Sequence, residues 1–247
     1  MGDYKLLISW TKDMIAQYPA KHYALIICNH GSGWKHTKSD LVKGISYDDS
    51  TGNHITTEQL GMAMGEIKQA LGRNLDVLSM DACLMQMFEV AYAVKDTTDF
   101  IVASEETEPG AGYPYDGILN TLKAGTAPVD FVKTWVAAYA ASYNNGSQGN
   151  SASTQSAIDC SKLNDLKDAV DGFAKASIAG TFGAQFKTAL TAVQKFYYRT
   201  NIDLPHLVNL LKAAIKELKL DRAKIAFDDY GLGLRLGLEG ASVADGY

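Results

Sequence analysis

Apolar positions near the start of the chain have the spacing of a surface helix. Leu7, Trp10 and Met14 recur every three or four residues, so we expect an amphipathic helix over residues 4–18 that ends before Pro19. A second pattern of this kind begins at residues 56–57 and ends near 72, where a glycine is typical of a helix end. Helices therefore alternate with the apolar runs described next.

Short, continuous apolar runs have the composition of strands buried on both faces. They cover residues 22–28, 75–80 and 99–104, and each is followed by polar residues. A helical pattern over 84–94 separates the second run from the third. This alternation predicts an α/β fold with a mostly parallel sheet covered by helices. Ligands bind such sheets beyond the carboxyl ends of the strands, so we expect His30, Cys83 and Glu105 on that rim.

The rest of the chain is predicted to be mostly helical. Residues 131–143 favour a helix, and 144–153, rich in Gly, Ser and Asn, favour a loop that forms the best internal boundary. Residues 35–43 favour an exposed loop before a short strand at 44–47. The later predicted elements are a strand at 155–159 and helices at 163–176, 182–198 and 204–218.

Composition narrows the class of protein. The chain has 247 residues, 47% hydrophobic content and a formal net charge of −5, and it lacks a basic stripe, which argues against nucleic-acid binding. No apolar run approaches the roughly 18 residues of a transmembrane helix, and no export signal is visible at the start. Three widely spaced cysteines suggest neither a disulfide framework nor a zinc knuckle, so they leave the redox compartment open.

His30 and Cys83 follow successive predicted strands, and together they could perform covalent acyl transfer. They are 53 residues apart, and caspase-type peptidases place the histidine about 50 residues before the cysteine. A lone cysteine is usually inert packing, and a lone loop histidine is usually a hydrogen-bonded structural residue. The pair at neighbouring strand ends makes a catalytic role as plausible as a structural one.

Four blocks of sequence resemble the clostripain family of cysteine peptidases. They are residues 29–34 (NHGSGW), 44–49 (GISYDD), 80–85 (MDACLM) and 103–110 (ASEETEPG), in family order and at family spacing. The resemblance covers roughly residues 1–170 and loosens after about residue 177. It implies a caspase-like fold: a mostly parallel sheet with helices on both faces. Residues 1–153 would be its catalytic region, and 154–247 a strand and helical subdomain of the same unit.

The resemblance also implies an activity, cysteine endopeptidase cleavage after Arg or Lys. Cys83 would be the nucleophile that forms an acyl-enzyme, and His30 the second member of a dyad. Backbone N–H groups of Gly31 and Cys83 would hold the oxyanion. Asp81 would bind the basic substrate side chain, although without the resemblance an N-cap for a helix starting near Cys83 is equally plausible.

Other polar residues suggest weaker hypotheses. Asp48 and Asp49, with His36 and His54 nearby, invite a metal interpretation, but their spacing matches neither an EF-hand nor a zinc motif. We therefore predict no metal ligand and no required cofactor. The resemblance still allows calcium as a cofactor. The nearby acidic pair at 105–106 could add negative potential to the substrate cleft.

Three lysines lie between the two candidate catalytic residues, in the loop predicted at 35–43. Family members are commonly activated by self-cleavage in this region. We expect cleavage after Lys43 or Lys38, with Lys35 as the third basic residue of the loop. A solvated lysine loop without processing is the equally simple alternative.

Relatives also carry an N-terminal strand segment before the helix that opens this chain, usually behind an export signal. The resemblance thus implies an exported bacterial protein, and a sheet without those strands would expose backbone edge.

Two alternative functions remain. One is an inactive caspase-like domain that binds peptides or proteins in an acidic cleft. The other is a metal-dependent hydrolase using His30, Cys83 and the Asp48–Asp49 turn. The sequence does not decide four points: the natural substrates, the choice between Arg and Lys, the oligomeric state and the activity of this N-terminally short chain.

Overall fold

The structure, a computed structural model, describes residues 2–34, 44–179 and 182–214. The helices are α1 (Tyr4–Gln17), α2 (Thr57–Leu71), α3 (Phe88–Val94), α4 (Tyr115–Leu119), α5 (Pro128–Tyr143), α6 (Leu163–Ala179), α7 (Gly183–Ala192) and α8 (Leu204–Ala214). The strands are β1 (Ala24–Cys28), β2 (Gly44–Ile45), β3 (Ile55–Thr56), β4 (Leu75–Asp81), β5 (Thr98–Ala103), β6 (Asn144–Gly146), β7 (Gly149–Asn150) and β8 (Ser156–Asp159). The loop predicted at 35–43, with its three lysines and His36, lies outside the described residues, as do residues 215–218 of the last predicted helix.

The main sheet has the strand order β1-β4-β5-β8. β1 and β5 pair with β4 in parallel, and β8 adds an antiparallel edge. All seven residues of the central strand β4 are buried, as expected for a strand with neighbours on both sides and helices on both faces. The predicted mostly parallel α/β sheet is confirmed.

Alternate residues of the strands point into two hydrophobic cores. Leu25, Leu78 and Ile101 face a core that includes Leu60 of α2. The neighbouring positions on the strands, such as Val77 and Val102, face a second core built around the aromatic side chains of α5. The sheet thus has helices on both of its faces, and a third small cluster joins α7 to α8.

Capping residues place the first two long helices where the sequence predicts them. The Asp3 carboxylate accepts the N–H of Lys5 at 2.8 Å at the start of α1. Thr56 and Gln59 form a reciprocal capping box at the start of α2, and Gly72, with φ of 69°, ends it in the left-handed conformation. None of the described helices is both long and apolar enough to cross a membrane.

The helix predicted over 84–94 begins only at Phe88. Leu84 has φ of 63°, which no helix accommodates. Its N–H donates to Glu106 O at 3.1 Å, and the N–H of Gln86 donates to Ser104 O at 2.9 Å. The first four residues therefore extend the sheet-like bonding beyond β4 instead of entering the helix.

Two later predictions also need correction. Residues 144–153, predicted as a plain loop, contain the short antiparallel hairpin β6–β7. The helix predicted over 182–198 ends at Ala192, because the chain turns there to start α8: Asp203 N–H donates to Gln194 O at 3.0 Å. The helical hydrophobic pattern continues past that point because Val193, almost fully buried, still packs into the α7–α8 cluster.

A buried carboxylate ties the amino ends of β1 and β4 together. Asp76 accepts hydrogen bonds from His22 Nδ1 at 2.6 Å, from the Tyr23 N–H at 2.9 Å and from Arg73 Nη1 at 2.8 Å. Burial raises the pKa of Asp76, but these donors together outweigh burial and hold the pKa below its usual value.

We predict that Asp76→Asn lowers the free energy of unfolding by about 2 kcal/mol at pH 7, because it removes hydrogen bonds to a charged acceptor. A carboxylate with a lowered folded pKa stabilises the fold above its unfolded pKa of about 3.9, and this contribution disappears as pH falls through the folded pKa. In urea unfolding, the free energies of unfolding of the variant and the wild type should therefore differ strongly at pH 7 and only slightly at pH 2.5. The exposed Asp13→Asn is the matched control, and an equal loss at both pH values would contradict the prediction.

Candidate active site

Three neighbouring parallel strands end at one rim of the sheet. His30 follows β1, Cys83 follows β4 and Glu105 follows β5, as the sequence predicts. Cys28 pairs with Asp81 in the β1–β4 register, and each chain continues two residues further to His30 and Cys83. Because His30 and Cys83 each follow a paired residue by two positions, the two candidate catalytic residues lie on neighbouring segments at the same end of the sheet.

Backbone contacts hold the His30 segment against the Cys83 segment. The Asn29 N–H donates to Asp81 O at 3.3 Å. A Cβ atom on Gly31 would lie 2.4 Å from the carbonyl oxygen of Cys83, so only glycine allows this approach. His30 lies between these two contacts; its side chain is exposed, and that of Cys83 is half-buried.

Backbone strain marks both strand ends. Asn29 has φ of 129° and Leu84 has φ of 63°, although neither is glycine. Such conformations cost on the order of 1–3 kcal/mol each and concentrate at functional sites. Nothing in the local sequence signals the strain at Leu84, since leucine rarely adopts a positive φ.

The loop after β5 completes the surroundings of the thiol. The N–H of Glu108 donates to the Sγ of Cys83 at 3.3 Å. This contact fixes the position of the Cys83 sulfur relative to the loop after β5. Among the described residues, the backbone N–H groups of Gly31 and Cys83 donate no hydrogen bond, so both are free to bind a substrate oxygen.

Asp81 is a buried carboxylate at the carboxyl end of β4, with 7% of its surface exposed. It accepts a hydrogen bond from the Tyr115 hydroxyl at 2.6 Å and one from the Tyr113 N–H at 3.3 Å. It does not cap a helix, because α3 begins at Phe88 and Met87 occupies the N-cap position. The alternative interpretation of Asp81 as an N-cap is therefore wrong.

The wall of the Asp81 pocket depends on the β6–β7 hairpin. Gly112, with φ of 62°, approaches so closely that its Cβ position lies 3.0 Å from Asp81 Oδ1. The carbonyl of Gly112 accepts hydrogen bonds from the Tyr143 hydroxyl at 2.7 Å and from Gln148 Nε2 at 3.2 Å. Gln148 also donates to Ala111 O at 3.1 Å, so the hairpin fixes the loop that covers the pocket.

Glu108 is a site residue that sequence reasoning did not assign a role. Both of its carboxyl oxygens are buried, and neither receives a hydrogen bond. Burial raises the pKa of Glu108 to about 10, and the neighbouring Asp81 adds to this shift. Its place in the family-like block at 103–110 was the available signal, but an acidic residue in a loop is usually solvated.

The other acidic residues of this loop make contacts elsewhere. Glu105 Oε1 accepts the Ser156 hydroxyl at 2.6 Å, and Glu106 Oε1 accepts the Tyr197 N–H at 3.1 Å. Glu105 lines a separate cavity of about 320 Å³ under Trp34 and α6, to which His30, Asp81 and Cys83 do not contribute. Both acids are therefore hydrogen-bonded to groups other than His30, Asp81 and Cys83.

The Asp48–Asp49 turn is stabilised by its own hydrogen bonds. Asp48 accepts the N–H of Ser50 at 3.0 Å and its hydroxyl at 2.6 Å, and these bonds lower the pKa of Asp48 to about 2. The ring of His54 stacks on Tyr47 at 4.7 Å. Within the described parts of the chain, no group of three or more His, Cys, Asp or Glu side chains is arranged to hold a metal ion.

Solved cysteine proteases share this fold. The chain is similar to a secreted C11 cysteine protease from Bacteroides thetaiotaomicron bound to an irreversible peptide inhibitor, with 21% identity and a TM-score of 0.63 over 90% of this chain and 61% of the other. It is also similar to an inactive zymogen C11 protease from Parabacteroides distasonis, with 20% identity and a TM-score of 0.55 over 87% and 59% of the two chains.

Sequence comparison points in the same direction. The chain is 35% identical to clostripain of Hathewaya histolytica over 133 residues, which are 51% of this chain and 25% of clostripain. It thus spans about a quarter of that relative's length. A sequence model of the clostripain family matches residues 1–225, nearly the whole chain, and we conclude that the protein belongs to the clostripain family.

Proposed function

We propose that this chain is a cysteine endopeptidase that hydrolyses peptide bonds after Arg or Lys. The observation that carries the proposal is the convergence of His30, Cys83 and the buried Asp81 carboxylate at the ends of two adjacent parallel strands. A nucleophile, a proton carrier and an anionic pocket are the groups that this reaction needs.

The covalent step uses the thiol of Cys83. Its sulfur, as thiolate, attacks the scissile carbonyl carbon, and the resulting tetrahedral intermediate expels the amine with a proton from His30. This leaves a thioester on Cys83. Water then attacks the thioester, His30 accepts the proton of that water, and the free carboxyl product leaves with the thiolate restored. The N–H of Glu108, 3.3 Å from the sulfur, holds the nucleophile in position.

The free N–H groups of Gly31 and Cys83 are candidates for the oxyanion hole. Backbone donors fixed by surrounding structure stabilise developing negative charge without reorganising during the reaction. Gly31 is held by its close contact with Cys83 O, and the flanking His30 O accepts the Ser46 N–H at 3.0 Å. These contacts keep the donor in place while the substrate binds.

Asp81 would select the substrate. No ion pair within the described residues neutralises its carboxylate, which has two hydrogen-bond donors from tyrosines 113 and 115. A guanidinium could bind it with two parallel hydrogen bonds, and an ammonium could bind it as a point charge. Either pairing would provide the missing positive charge, which supports a preference for basic residues.

Self-cleavage and export belong to the same proposal. Ser32 N–H donates to Gly44 O at 3.0 Å, so the two described ends of the 35–43 segment are joined by β-type hydrogen bonds. A cut after Lys38 or Lys43 would leave His30 attached to this support. Export from a bacterial cell is proposed from the family resemblance, and one similar structure is of a secreted protease.

We predict that Cys83→Ala lowers the hydrolysis rate of fluorogenic peptides ending in Arg or Lys by at least about 10³-fold, because no nucleophile remains. His30→Ala should cost at least about 100-fold through loss of proton transfer. Cys160→Ala, which removes a buried thiol near the opposite, amino end of the parallel strands, is the matched control and should retain activity. A folded wild-type chain without hydrolysis would favour the inactive binding-domain alternative.

Asp81→Asn is expected to lower kcat/KM for Arg and Lys peptides by at least about 30-fold, because it removes one partner of a buried charge pair. The same enzyme should cleave a peptide with a neutral residue before the scissile bond no more slowly than the wild type. A matched control is Asp99→Asn, which changes an exposed carboxylate at the opposite end of the sheet. An equal loss for basic and neutral peptides would show that Asp81 serves folding rather than selection.

The self-cleavage proposal predicts that purified wild-type chain converts into two fragments that stay associated, while Cys83→Ala stays intact. Changing Lys35, Lys38 and Lys43 together to Ala should prevent the conversion and lower activity. Denaturing gels and intact mass spectrometry identify the cut. An intact triple variant with full activity would rule out processing at these lysines as the activating step.

A further inference from the structure

Glu108 is a buried acid that the proposed mechanism does not use. Only its backbone N–H contacts the nucleophile, while both carboxyl oxygens lie out of reach of solvent and of any hydrogen-bond donor in the described chain. An ionised carboxylate left in this state is strongly disfavoured, because burial removes its hydration and nothing replaces it. Its environment therefore requires either a proton or a cation.

Among the described residues, the titratable groups that interact with Glu108 provide no positive charge. The carboxylate of Asp81, at the end of β4, lies beside it and disfavours its ionisation. The remaining titratable groups whose ionisation interacts with Glu108 are two thiols and three phenols: Cys28, Cys83, Tyr113, Tyr139 and Tyr143. All of these groups are neutral or negative. With burial raising the pKa of Glu108 to about 10, this acid keeps its proton at neutral pH when no cation is bound.

We propose that Glu108 is the second carboxyl group of the specificity pocket, and that it releases its proton to solvent when the cationic side chain of the substrate enters. This inference rests on the proposed function, since it requires Arg or Lys in the Asp81 pocket. The exchange is balanced: a neutral carboxylic acid and a bound cation become a carboxylate–cation pair and a free proton.

Physical chemistry favours this exchange. A cation within about 4–6 Å stabilises the ionised carboxylate and opposes the effect of burial. A guanidinium has five N–H donors, more than Asp81 alone can accept, and the two unpartnered oxygens of Glu108 offer acceptors in the same pocket. The tyrosine donors to Asp81 can stay in place, but the cationic group must open a path to the Glu108 oxygens, which solvent does not reach in the free chain.

The competing interpretation is that Glu108 keeps its proton and donates a hydrogen bond to Asp81 permanently. The two interpretations differ in the number of protons released on binding, which is zero if Glu108 stays neutral. They also differ in pH dependence. With proton release, the dissociation constant of a basic peptide falls about tenfold per pH unit between the bound and free pKa values of Glu108.

The test is calorimetric titration of the Cys83→Ala chain with an Arg-containing peptide at pH 8, in two buffers of different ionisation enthalpy. This background removes the thiol of Cys83 as a proton source. We expect close to one proton released per peptide bound. Glu108→Gln in the same background should release close to none and should lose the pH dependence of the dissociation constant.

Glu105→Gln is the matched control, because Glu105 is a neighbouring acid whose pKa burial also raises, yet it binds Ser156 outside the pocket. The Glu105→Gln variant of the Cys83→Ala chain should release close to one proton per peptide bound, as the Cys83→Ala chain itself does. Binding without proton release in the parent would overturn the inference while leaving the proposed function intact, and that result needs no folded Glu108 variant. Release that persists in Glu108→Gln would also overturn it. Failure of both Arg and Lys peptides to bind would refute the proposed specificity itself, and the inference with it.

Discussion

The parallel hydrogen bonding of β4 with β1 and β5 determines where every candidate catalytic group lies. Because the three strands run in one direction, their carboxyl ends meet, and the Cys28–Asp81 register brings the two following segments side by side. A slip of one residue would turn Asp81 to the opposite face of the sheet. Packing opposes such a slip, since it would move each side chain of β4 into the core shaped for its neighbours.

The chemistry of the site follows from acids placed where solvent is scarce. Asp81 accepts hydrogen bonds from two donors, whereas the carboxyl oxygens of Glu108 have none among the described residues, and burial raises the pKa of Glu108 to about 10. A pocket built this way is less stable than an apolar one would be, because each buried acid must be either neutralised or hydrogen-bonded. The folded chain thus tolerates an unfavourable local arrangement that a positively charged side chain would relieve.

Local sequence patterns account for the strands, for the first two long helices and for the positions of His30 and Cys83, because burial on both faces and capping leave signals within a few residues. Local patterns do not predict the structure where contacts with segments distant in the sequence determine it. Residues 84–87 leave the helical path because their N–H groups bond to the 104–106 loop, and β6–β7 is ordered around the loop that Gln148 holds. Glu108 illustrates the same limit, since its burial depends on packing against Asp81 and the tyrosines of α5.

The support that the β6–β7 hairpin gives to the pocket has a consequence for the order in which the protein is made. His30, Asp81 and Cys83 leave the ribosome well before Gln148 and Tyr143, which hold the covering loop through Ala111 and Gly112. At about 5–20 residues per second, synthesis separates these events by several seconds. During that interval the chain already contains Cys83 but not the finished wall around Asp81. The surroundings of Asp81 are thus completed late in synthesis, when the hairpin forms.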